Sequence, residues 1–518
     1  MDLLKAEGAN KQRSTMFSLI YYMKHLEYSV EEAFSKAWQL ENRANKAFET
    51  LDDLDTSGAP EILMEVEQRS GSYGGLVTAE VSAESDALSV AGPTPPPSGE
   101  LFTFGTGVSG SLGYDEVFMA FPCQVPSLAS VKVKAVACGF AHTIVLTESG
   151  KVLSFGSNSI KELGRATDTG VDYEAKQVEL PEAVAQITAG DHHSAALTVG
   201  GNVFAWGAFE LASWDMFVTV QSAKDEAHSG NVYPITILDD LGDCVKVKEI
   251  ASGSNHLVFL AESGSVYSMG SNEHGQLGRS QFDKIRLQST RRPNKTVQNA
   301  TERIQNYHSH PKRVPVMSVL KEDLVISNVF CSKNASFFVA YHSGDVYVCG
   351  LNCFSELGIE SVENVLSPIK SPAFTLKADD SKVEWNQICG GDSHIVALSN
   401  DGSVYTMGES ERPQLGLGDF IPKDATLTMV EPLKNNCSSV AAGYYSSYAV
   451  TIDGKLYAWG KGWDGLLATG DDEDQDSPSL CMAGVGTPIN QRVLRISAGT
   501  CFAAVIFERQ DDDCGSSQ

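Results

Sequence analysis

An apolar residue followed by glycine recurs seven times along the chain, at Phe104-Gly105, Phe155-Gly156, Trp206-Gly207, Met269-Gly270, Cys349-Gly350, Met407-Gly408 and Trp459-Gly460. The glycines lie 51, 51, 63, 80, 58 and 52 residues apart. A period near fifty means one supersecondary unit copied, and such a unit buries its apolar face only against its neighbours.

Two further marks keep step with the first. A tight-turn signal precedes a β-rich run at Ser149-Gly150, Gly201-Asn202, Gly264-Ser265, Gly344-Asp345, Asp401-Gly402 and Asp453-Gly454. Glycine there supplies a hairpin backbone, and the β-branched and aromatic residues that follow suit a half-buried strand. The other mark is Leu-Gly, at Leu112-Gly113, Leu163-Gly164, Leu277-Gly278, Leu357-Gly358 and Leu415-Gly416. Seven β units that each need two neighbours close into a ring, which removes open edges. The expectation is an all-β, seven-bladed β-propeller over residues 100–510, with the last strand, 501–507, pairing with 101–104 to complete one blade from both chain ends.

Residues 1–55 lack the repeat. Val30, Phe34, Ala37, Trp38, Glu41 and Ala44 follow helical spacing, which predicts a helix over 30–51. Residues 56–99 turn to Gly, Ser, Ala, Glu and Pro and read as a disordered linker, and 511–518 as a disordered tail. The N-terminal extension is thus expected to be partly helical and partly disordered.

The net charge of −27 argues for basic partners rather than for general wrapping of nucleic acid, although an acidic surface also serves solubility. The eleven cysteines are scattered, and the one close pair, Cys349 and Cys353, lacks a second pair, so free thiols in a reducing compartment are expected rather than zinc ligands. The apolar run 16–23 is too short to span a bilayer and no cleavage site follows it, so a soluble intracellular protein is expected, with no membrane partner. No phosphate-binding G-x-x-x-x-G-K-[ST] occurs, and no cofactor is implied.

Four units carry G-x-x-H, ending at His142, His193, His256 and His394. An active site is single whereas these histidines are copied, so they read as partly buried groups holding a blade turn. Asp191, Asn255 and Asp392 occupy variable positions of the same turns and are expected to ring one face near the axis. Two insertions break the period. Residues 209–231 include Phe209, Glu210, Trp214 and Asp215, which read either as a projecting binding element or as Trp214 packed on its own blade. Residues 283–315 carry Lys284, Arg286, Arg291, Arg292, Lys295, Arg303, Lys312 and Arg313 against Asp283 and Glu302. That segment reads as a solvated loop or as a contact to phosphates or an acidic protein patch, where the arginine fork donates two hydrogen bonds at once. The acidic run 471–474 reads as a solvated turn.

Taken with the segments Ala189-Gly190-Asp191-His192-His193-Ser194, Gly275-Gln276-Leu277-Gly278-Arg279 and Asp471-Asp472-Glu473-Asp474-Gln475-Asp476-Ser477-Pro478, these marks make the chain resemble the regulator of chromosome condensation family. The resemblance implies a monomeric nucleotide exchange factor for the Ran GTPase, nuclear and bound to chromatin, with no covalent chemistry. It implies a GTPase-facing set of Asp191, Asn255, Asp392 and Ser393, a wedge of Phe209, Glu210, Trp214 and Asp215 on that face, and a nucleosome contact through Arg286, Arg291, Arg292 and Lys295 on another. Asn255 stands where the family has an aspartate, Val108 where it has another, and Ser393 and Phe502 where it has histidines. The alternative expectation is a noncatalytic propeller scaffold, with the cytoplasm as its compartment.

Overall fold

The computed structural model describes residues 97–208, 232–279, 311–317, 322–378, 381–409, 413–418, 426–482 and 491–509. The predicted N-terminal helix, the linker up to residue 96, the wedge residues and the basic segment from 283 to 310 lie outside them, whereas Gly99 opens the strand Gly99–Thr106 and Lys312 and Arg313 lie in the strand Lys312–Val314.

The described residues form a seven-bladed β-propeller, each blade a sheet of four antiparallel strands. Blade 3 shows the pattern: Val184–Ala189 lies innermost, followed outward by His193–Thr198, Val203–Gly207 and Tyr233–Ile235. Blade 1 joins the chain ends. Its inner strands are Val493–Ala498 and Phe502–Glu508, and its outer strands are Gly99–Thr106 and Phe118–Gln124. Residues 99–105 pair without a break against 508–502, as the sequence required. One bridging pair, Gly99 with Val133, runs from blade 1 to blade 2.

The three sequence marks are parts of one contact scheme. At Gly270 the backbone has φ +115°, and a Cβ there would lie 2.4 Å from the carbonyl oxygen of Asn255. That carbonyl accepts the next amide, Ser271 N–H, at 2.7 Å, so the strand must pass close and only glycine fits. Where the preceding blade carries a Leu-Gly loop, the apolar residue before the glycine packs on it. The Trp206 ring lies 3.0 Å from where a Cβ on Gly164 would stand, and the Trp459 ring 2.6 Å from that of Gly416. The core is therefore distributed between blades: Ala195, Leu197 and Ala205 of blade 3 cluster with Ile250, Phe259 and Met269 of blade 4.

Candidate functional site

Each G-x-x-H turn links the innermost strand to the second strand at one end of the blade. The histidines are more deeply set than their polarity suggests: His142, His193 and His256 are 0% exposed and His394 1%, buried outright rather than partly. All four reach the next blade, three of them through a serine on its second strand and His193 through Ser252 on its innermost strand. Nε2 lies 2.8 Å from Ser194 Oγ for His142, 3.0 Å from Ser336 Oγ for His256, and 2.9 Å from Ser447 Oγ for His394. Each serine hydroxyl donates onward to a backbone carbonyl, of Glu162, Gln276 and Gln414 respectively. A hydroxyl has one proton, so its oxygen accepts from Nε2–H, and that assigns the histidine tautomer. His193 meets Leu257 at the corresponding place and turns to Ser252 Oγ at 3.1 Å. Burial pushes the imidazole pKa down to about 3 in His142, His256 and His394, and down in His193 as well. These rings stay neutral and fasten blades together.

The residue after the first position of each turn holds the same place in every blade, which yields a ring of seven: Phe140, Asp191, Ser254, Lys333, Asp392, Tyr444 and Thr500, of which Asp191, Ser254, Lys333 and Thr500 line the axial opening. Backbone hydrogen bonds run from turn to turn, from Phe140 N to Asp191 O, Asp191 N to Ser254 O, Ser254 N to Lys333 O and Asp392 N to Tyr444 O. Below the ring lies an axial cavity of about 280 Å³ lined by residues of all seven blades, among them Cys138, Thr188, Ser252, Gln387, Val440 and Ser497.

Lys333 spans this ring. Its Nζ lies 3.8 Å from Asp191 Oδ1, 3.5 Å from Thr500 Oγ1 and 4.4 Å from the centre of the Tyr444 ring. Burial raises the pKa of Asp392; Lys333 and a hydrogen bond from Tyr444 oppose the rise, whereas Asp191 and Glu409 add to it. The repeat pattern missed Lys333 because its unit carries Ser332 where the other six have glycine and Ala335 where four of them have histidine. Aligning the inner strands instead of the motif would have found it.

Of the residues proposed from sequence, Asp191 and Asp392 meet on the ring. Asn255 lies one position further along its turn, partly exposed, with Ser254 taking the ring place. Ser393 is 2% exposed and donates its hydroxyl to Glu409 Oε2 at 2.6 Å, so it supports the face from beneath. Phe502 is 1% exposed and fills the buried place held elsewhere by histidine. The ring is extended outward by aromatic contacts, Phe140 with His192 at 5.5 Å and Tyr444 with Tyr445 at 4.4 Å.

Phe209, Glu210, Trp214 and Asp215, and Arg286, Arg291, Arg292 and Lys295, lie outside the described residues, but the strands that flank them are placed. Gly207 pairs with His193, Gly270 with His256, and Lys312 with Ser268, so both insertions leave and re-enter at the end of the blade that carries the turns. In an antiparallel blade the first and third connections share one end. The acidic run 471–474 is exposed as expected, but two of its members also hold its loop: Asp474 Oδ1 accepts Gly462 N–H and Asp472 Oδ1 accepts Gly465 N–H.

Among the described residues no group of three or more His, Cys, Asp or Glu could hold a metal ion. The thiols of Cys138, Cys331 and Cys389 are pushed up to about 12 by burial, which leaves them inert as nucleophiles. What the face offers is a rigid platform of carboxylates, one ammonium and aromatic rings.

The sequence pattern of the RCC1-like domain matches residues 100–505. The regulator of chromosome condensation of Homo sapiens is 34% identical over 406 residues, covering 77% of this chain and 89% of its own. The guanine nucleotide exchange factor SRM1 of Saccharomyces cerevisiae is 25% identical over 458 residues, covering 78% of this chain and 86% of its own. The crystal structure of Prp20p from Saccharomyces cerevisiae, described with its binding properties to Gsp1p and histones, superposes with a TM-score of 0.63 at 23% identity, covering 81% of this chain and 93% of that one.

Proposed function

The chain belongs to the RCC1-like domain family, and from that premise we propose that it is a guanine nucleotide exchange factor for a Ran-type small GTPase, acting in the nucleus at chromatin. The observation that carries this reading is the convergence of Asp191 and Asp392, far apart in sequence, on one axial face with aromatic neighbours. It is supported by the exchange-factor name of the yeast relative and by the histone and Gsp1p binding described for Prp20p.

Exchange of this kind breaks no covalent bond. The propeller has to bind the nucleotide-free GTPase more tightly than the loaded one, and that difference lowers the barrier to release. A rigid face suits the task, because its groups are already ordered before the partner arrives. In this reading Asp191, Asn255 and Asp392 contact the GTPase, Ser393 acts through Glu409, and Phe209, Glu210, Trp214 and Asp215 form a wedge beside the nucleotide site. Each hydrogen bond to a charged group adds roughly 1.5–3 kcal/mol to the preference. Arg286, Arg291, Arg292 and Lys295 engage acidic protein or phosphate on the nucleosome, and the chain acts as a monomer without cofactor or metal.

The test is release of fluorescent GDP from Ran with and without purified protein. Acceleration that Asp191→Asn weakens supports exchange. No acceleration at micromolar protein sinks it and leaves the second reading, a noncatalytic cytoplasmic scaffold. Asn255 favours that alternative, because a neutral amide binds a cationic partner group less strongly than a carboxylate. For chromatin, Arg291→Ala with Arg292→Ala is expected to weaken nucleosome binding, and unchanged affinity would reject the loop as the contact.

A further inference from the structure

We propose that Lys333 is the positioning residue of the axial face: reaching from blade 5 to Asp191 on blade 3, Tyr444 on blade 7 and Thr500 on blade 1, its ammonium favours a charged Asp392 beside Asp191, so that the two side chains together receive one cationic group of a docked partner. This inference rests on reading the face as a GTPase-docking surface.

The ring composition carries the argument. Of its seven members, Asp191 and Asp392 are acidic and Lys333 alone is basic. Asp392 faces Asp191 and Glu409, which disfavour an ionised carboxylate there, and its own charge in turn disfavours ionisation of Glu356 and of the Cys353 thiol. His192 follows Asp191 on its turn, within 4.0 Å of Glu162, and Tyr444 donates to Asp392 from the other side. Lys333 is the cation opposing that negative charge.

Its placement is that of a hub rather than of a close pair. At 3.8 Å from Asp191 the ammonium makes no direct hydrogen bond, and its remaining contacts are a hydroxyl and an aromatic face. The Lys333 side chain is 14% exposed and that of Asp191 27%, so its field is screened less than at an open surface. Ser254 N–H donates to the Lys333 carbonyl at 2.8 Å, which fixes the turn that aims the side chain. Such a cation favours a charged Asp392 while standing too far from Asp191 to close a direct hydrogen bond on its oxygens.

Full-chain protein and its Lys333→Met and Lys333→Arg variants are titrated with nucleotide-free Ran between pH 5.5 and 8. Wild type and Lys333→Arg are expected to keep nearly constant affinity. Lys333→Met is expected to bind roughly tenfold more weakly at pH 6 and to recover most of the loss by pH 8, as Asp392 regains its charge. A loss equal at every pH, or tighter binding by Lys333→Met at pH 6, overturns the inference.

Urea unfolding gives a readout that needs no GTPase. A carboxyl whose folded pKa is raised gives the fold an advantage at low pH that is lost as pH rises. The stability gap between wild type and Lys333→Met is therefore expected to be wider at pH 8 than at pH 5, and a constant gap overturns the inference. If the gap widens while wild type binds no Ran, the docking reading fails and the charging of Asp392 by Lys333 stands.

Discussion

Trp206 donates its indole N–H to the carbonyl oxygen of Glu162 at 2.8 Å, from one blade to the preceding one. Ser194 donates to the same carbonyl at 3.2 Å, and His142 completes the chain through that hydroxyl. Trp459, Ser447 and His394 repeat the arrangement around Gln414 O. Two of the blade interfaces thus copy one unit of indole, hydroxyl and imidazole over one carbonyl.

Trp206→Phe keeps most of the apolar contact and leaves Ser194 on the carbonyl, so it is expected to cost about 1 kcal/mol in urea unfolding. Gly416→Ala should cost more, about 2–3 kcal/mol, because φ is +67° and the new methyl meets the Trp459 ring. Equal costs for the two variants would contradict the packing described.

The buried histidines set an acid limit on stability. Their folded pKa lies near 3 for His142, His256 and His394, below the unfolded value of 6.5, so their contribution is complete above about pH 6.5 and declines as pH falls toward 3. Each ring adds about 1.4 kcal/mol per pH unit to the slope in that window. His394→Gln is expected to be less stable at pH 7.5 but to lose stability less steeply between pH 6 and 5. An unchanged slope would mean that the ring is protonated in the folded state.

Glu249 has the opposite sign. Gln186 clasps the next blade by donating to Ile250 O at 2.9 Å and accepting from Ile250 N at 3.0 Å, and Gln387 does the same with Val440 at 2.8 and 3.1 Å. Glu249 holds the matching strand position and accepts from Val329 N–H, but an ionised carboxylate has no proton for a carbonyl. Burial raises its pKa to about 7, so its ionisation costs stability increasingly as pH rises from 4.5 to 7. Glu249→Gln is expected to stabilise the fold by about 1–2 kcal/mol at pH 8 and by much less at pH 5. Chemical denaturation at both pH values checks the difference.

Ring closure depends on Phe502–Glu508, which lies between Val493–Ala498 and Gly99–Thr106 in blade 1. Deleting residues 499–518 removes that strand and the 4.7 Å edge contact of Phe507 with Phe102. The truncated chain is expected to lose its sharp thermal transition and to aggregate through the exposed edges. A cooperative melt at the wild-type temperature would show that closure does not hold the ring.

The repeat marks disclosed the architecture because glycine is demanded wherever a strand crosses a neighbouring carbonyl, and an apolar residue wherever it faces the next blade's loop. Gly270 and Trp206 are legible in that sense. The candidate face was half legible. Asp191 and Asp392 could be read from turns that keep the motif, whereas Lys333 sits in a turn that has lost both of its markers. Ser393 shows the reverse: it has a turn position in sequence, yet its side chain is drawn beneath the surface by Glu409.

Local chemistry in the chain therefore determined that β units repeat, how many there are and that they close, since each unit's turn and contact residues obey the same steric needs. Which side chains share the axis was decided by the closed ring alone. Lys333 and Asp191 are 142 residues apart and come within 3.8 Å only because blades 3 and 5 lean on a common centre. No pattern within one unit encodes that distance.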